Sequence, residues 1–168
     1  MALRLSFAEP ASAPIALGLG LLFGNYMAVA DASVFRTVVP SSAHILVTTV
    51  PMPERILTSV LSAASAEVVL RLMCMTAIVV GFVTIFGPRR GCYWGAIGVV
   101  SLVAYPLWDY AYFASLIITP LGAIREFALH FAATGLWGWL YWRHGFLAAL
   151  MAHCTSHLAL QPLLSVLA

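Results

Sequence analysis

Glu67 and Arg71 stand four residues apart in a stretch with almost no other charge. Tyr105 and Asp109 repeat that interval, as do Glu126 and His130, and His153 and His157. Residues four apart share one face of a helix, so each pair points two polar groups the same way. A carboxylate beside a guanidinium either neutralises itself as an ion pair or serves as an acid–base group held ready for proton transfer. For Glu67 and Arg71 taken alone, the ion pair is the simpler reading. Two histidines at this spacing hydrogen-bond across a helix bundle, hold a metal, or orient a reacting carbonyl. Glu126 and His130 read as a helix-end pair near an interface, because Arg125 adjoins them.

The scaffold that carries these groups is not a water-soluble domain. The chain has 168 residues, of which 62% are hydrophobic and only 8% charged. Its mean hydropathy is +0.99. Soluble domains carry about 25% charged residues, so this chain cannot cover itself with a hydrated surface, and it is too apolar to be disordered. All eight basic residues are Arg, and a net charge of +2 offers nothing to nucleic acid. Cys74, Cys92 and Cys154 form no C-x-x-C pair and read as small buried hydrophobes. The class is therefore all-α and polytopic, with the lipid bilayer as its first partner. In that setting each ionisable group inside a span carries an insertion penalty of about 2.5–3.5 kcal/mol and needs a reason to be there.

The apolar runs predict about five spans. The first covers roughly residues 13–30 and resembles a signal peptide, with Ala28-Val29-Ala30 as an A-x-A site. Glu9 ahead of it and Asn25 and Tyr26 within it favour a retained helix. Residues 31–53, broken by Pro40, Pro51 and Pro53, form an interfacial or re-entrant connection. A helix over 54–86 is too long for the hydrocarbon and must tilt, bend or protrude. After the Gly87–Gly91 turn come spans over 93–118, kinked at Pro106, then 119–142, then 146–164. Trp137, Trp139, Tyr141 and Trp142 cluster as an interfacial aromatic belt would. Arg4, Arg89, Arg90 and Arg143 fall on one side, and Arg36, Arg55 and Arg125 on the other, diluted by Asp31, Glu54 and Glu126. The positive-inside rule then places the N-terminus in the cytoplasm, in a bacterial inner membrane.

Some of these residues also form a pattern. The run 138–145, with Gly138, Tyr141, Arg143 and Gly145, precedes a helix bearing His153 and His157. It resembles the last conserved region of the CAAX-protease and bacteriocin-processing (CPBP, or Abi) family. That region reads roughly G-x-x-Y-x-R-x-G, then H-x-x-x-N or H-x-x-x-D. The family's E-E-x-x-x-R motif is matched by Ala66, Glu67 and Arg71, and its F-x-x-x-H motif by Tyr105 to Asp109. Glu67, Arg71 and His153 match outright, whereas Ala66, Asp109 and His157 replace the family's Glu, His and Asn.

The resemblance implies a four-helix CPBP-like core over residues 54–168, preceded by an N-terminal unit over 1–53. It implies metal-free, glutamic-type hydrolysis of a membrane-proximal peptide bond, with no cofactor. Glu67 would take the general-base role, shared with Asp109. His153 would polarise the scissile carbonyl, Arg71 would orient Glu67, and His157 would stand in for the lost histidine. Two carboxylates and two imidazoles are also a ligand set for zinc or a hard metal, ranked lower because the family fold needs none. Ala66 leaves a second class open, a catalytically silent homologue serving as an accessory subunit of a larger membrane complex. Transport is weaker, since transporter sites favour broken helices at a repeat interface and no repeat is visible here.

Overall fold

The computed structural model describes residues 12–116 and 119–167. Arg4, Glu9 and the expected end of the third span at Ile118 lie outside them. Among the described residues every regular element is helical. Helix α1 (Ser12–Ala32) buries Ala16, Gly20, Gly24 and Ala28, a seam of small side chains at intervals of four. The seam faces the last helix, α7 (Phe146–Leu167). A Cβ built on Gly20 would overlap the carbonyl oxygen of Ala152, and one on Gly24 that of Ser156. Two backbones touch here, the packing that small residues permit between helices in lipid.

Residues 31–51 contain a short 3₁₀ turn (Arg36–Val38) and helix α2 (Ser41–Thr49), which buries none of its residues. Nine residues of helix rise only about 14 Å, too little to span. Helix α3 (Met52–Phe86) has 35 residues and rises about 52 Å, as the apolar run requires. Its middle, Glu67–Met75, is π-helical. It stops at Gly87, whose φ of 76° is open to glycine at little penalty.

Helix α4 (Arg90–Trp108) also widens into a π segment, Val100–Ala104. Pro106 explains it. Proline has no N–H for the carbonyl of Leu102, and its ring crowds that oxygen, which a wider turn relieves. The expected continuous helix with a kink at Pro106 is corrected. The chain breaks three residues later, at Asp109 (φ −106°, ψ 41°), and restarts as α5 (Tyr110–Ser115). Helix α6 (residues 120–144) opens with Thr119 as its cap, Oγ1 accepting from the Gly122 amide at 3.0 Å. It contains a third π segment, Phe127–Phe131, and ends at Gly145, φ 90°.

Helix α7 packs against α1, α3 and α6. The core gathers Met75, Val79, Ile97, Val100, Leu140 and Ala149. Leu22, Leu57, Met73, Ile85 and Leu107 point outward with more than half their surface open. Apolar side chains on the outside as well as the inside are suited by lipid. By length and composition α1, α3 and α4 can each cross a membrane. The aromatic belt needs correction. Trp137 and Tyr141 are buried, and only Trp139 and Trp142 are half-buried. Positions 137, 140 and 141 form one helical face, and that face is turned to the core.

Candidate active site

The π segment of α3 carries Glu67 and Arg71. The break after α4 leaves Asp109 at a non-helical residue. Helix α7 brings His153 and His157 on one face. All five line a single cavity of about 220 Å3, together with Ala66, Tyr105, His130, Thr134 and Trp137. The structure thus brings together every site residue expected from the sequence.

Within the cavity wall the contacts are specific. His153 Nδ1 donates to Glu67 Oε1 at 2.9 Å. Glu67 Oε2 lies 3.5 Å from Arg71 Nε, and Arg71 Nη2 donates to the Thr134 carbonyl at 2.8 Å. Glu67 and Arg71 are each 1% exposed. The imidazole of His153 is held flat between Trp137 (centroids 5.7 Å apart) and His157 (5.2 Å). An ion pair inside an apolar helix is therefore real, yet it is not closed on itself, because a histidine from another helix completes it. Arg71 Nη1 and His157 Nδ1 are buried with no hydrogen-bond partner.

Two features were not legible in the sequence. His130 lines the cavity and lies within electrostatic reach of Asp109 and His157. Its partner is Glu126, with Nδ1 2.7 Å from Oε2. The pairing is the one expected, but its place is not. Glu126 and Arg125 are both buried. Arg125 donates to Asp31 of α1 through Nε and Nη2 (2.7 and 2.8 Å) and to Glu126 Oε1 through Nη1 (2.7 Å). Tyr112 donates to Glu126 Oε1 at 2.9 Å. Arg125 and Glu126 lie in the first two turns of α6 and Asp31 at the end of α1, as the helix-end reading has it, and these side chains are tied into the helix packing. The second feature is Trp137, which stacks on a site histidine. Its only sequence signal was membership of an aromatic cluster that pointed to the interface.

Among the described residues no three His, Cys, Asp or Glu side chains come together as a metal-holding group. The ligand set of Glu67, Asp109, His153 and His157 lines one cavity without forming a coordination sphere. Cys74, Cys92 and Cys154 are free thiols. Comparison with protein-family models, with characterised proteins and with solved structures finds no match to this chain.

Proposed function

We propose that the chain is an intramembrane hydrolase, resembling the CPBP glutamic endopeptidases, that acts on a membrane-proximal peptide bond. One contact carries the reading. Glu67 and His153, 86 residues apart, meet at 2.9 Å on the wall of a cavity shared with Arg71, Asp109 and His157.

The contact favours a different division of roles from the one the resemblance implies. Glu67 is almost wholly buried and its Oε1 is engaged by His153 Nδ1. His153 Nε2 is then the basic atom left for a water in the cavity. A carboxylate behind an imidazole orients the ring and stabilises the imidazolium that forms. Arg71 holds that carboxylate, and its guanidinium places positive charge beside the site where an oxyanion would develop on the carbonyl. Asp109 and His157 remain to position the peptide.

The test uses protein reconstituted in vesicles with a fluorogenic peptide on an apolar anchor. Glu67→Gln and His153→Ala are each expected to slow cleavage by about 100-fold or more, as loss of an acid–base group does. Two variants that cleave like wild type, while melting normally, sink the hydrolase reading.

A second reading rests on Ala66, which lines the cavity where the family resemblance puts the water-activating glutamate. On that reading the chain is a silent homologue held in a larger membrane complex. It predicts stable co-purification with other subunits, and a chain that purifies alone and monodisperse in detergent counts against it. Both readings place five spans in the bacterial inner membrane, with α6 and α7 joining the three apolar helices.

A further inference from the structure

We infer that His130, held by Glu126, is a second acid–base group of this site and donates the proton that the leaving amine requires. The inference rests on the hydrolase reading and adds to it the source of that proton. Its basis is geometric. The cavity wall carries two imidazoles from different helices that each have a carboxylate neighbour, His153 with Glu67, which also lines the cavity, and His130 with Glu126, which lies behind it on the same helix. Nδ1 lies 2.9 Å and 2.7 Å, respectively, from a carboxylate oxygen, so Nε2 is the ring nitrogen not taken up by that neighbour.

Glu126 is itself fixed by Arg125 and Tyr112, and Arg125 is fixed by Asp31. A histidine needed only for packing does not call for a support of four side chains from three helices. Amide hydrolysis, by contrast, needs one proton taken from water and one given to the leaving amine, and two such groups can divide that work.

The step balances without another reactant. Water's oxygen bonds to the carbonyl carbon while one of its protons passes to His153 Nε2. The C–N bond then breaks, and its electron pair takes the proton carried on His130 Nε2. His153 afterwards loses its proton and His130 regains one, so one water is divided between the two products.

A leaving-group comparison tests this. The probes are an anchored peptide with a scissile amide and the matching p-nitrophenyl ester, whose leaving group needs no proton. His130→Asn is expected to slow amide cleavage by about 100-fold and ester cleavage by less than roughly 3-fold, since general-acid help matters only for the poor leaving group. Glu67→Gln is expected to slow both. Equal loss on amide and ester, or no loss on the amide, overturns the proton-donor role while leaving the hydrolase reading intact. Wild-type protein inert toward both probes overturns the hydrolase reading, and this inference with it. Glu126→Gln preserves side-chain size and provides a second variant. It is expected to weaken amide cleavage and spare the ester, and the opposite pattern contradicts the proposal.

Discussion

A charge enclosed by apolar helices must be answered nearby, and Arg71 does this for Glu67. Removing the cation alone strands a carboxylate in the core. Arg71→Met is therefore expected to destabilise the protein by about 3–5 kcal/mol, whereas Glu67→Gln combined with Arg71→Met is expected to be milder than the single change. Thermal melting in detergent measures both, and a double variant as unstable as the sum of the singles contradicts the coupling. At this scale much was legible in advance. Glu67, Arg71, Asp109, His153 and His157 stand out because ionisable groups in apolar runs are rare, and all five reach one cavity. His130 did not stand out. Arg125 beside it suggested a helix end near the interface, and nothing local announces that Arg125 is answered by Asp31, 94 positions away.

Among the helices, the seam between α1 and α7 makes the sharpest distinction. Gly18 has nothing within 4 Å of where a Cβ would lie, whereas Gly20 and Gly24 meet backbone carbonyls that cannot swing aside. Gly18→Ala should leave the melting temperature nearly unchanged. Gly20→Ala and Gly24→Ala should each destabilise by about 1–3 kcal/mol, because an overpacked contact must be relieved by moving a backbone. Three equal effects would show that the seam is looser than described. The apolar runs predicted where helices lie, and Gly87 and Gly145 mark two of their ends. The three π segments were not visible. A wide turn is set by what the helix packs against and, in α4, by the missing N–H of Pro106. The break at Asp109 shows the same thing, since the proline is absorbed upstream and the chain yields further on.

For the molecule as a whole, the proposed arrangement of five spans with a cytoplasmic N-terminus would put the 87–91 and 143–145 turns on one side and α2 on the other. Arg89→Cys and Arg143→Cys, in a chain whose native cysteines are replaced by Ala, are expected to react with an impermeant maleimide in inside-out vesicles. Ser41→Cys is expected to react only in right-side-out vesicles. Labelling of all three from one side removes the five-span arrangement. The seam of α1 also has a consequence for how the protein is made. The ribosome releases α1 well before α7, so the glycine stripe emerges long before the helix it fits. During that interval the stripe is open to any small-residue helix nearby, and His153 and His157 do not yet exist. The cavity is thus incomplete until the bundle closes. A product cut short before α7 lacks His153, His157 and the cover for Gly20 and Gly24, and it presents membrane quality control with an exposed surface to recognise.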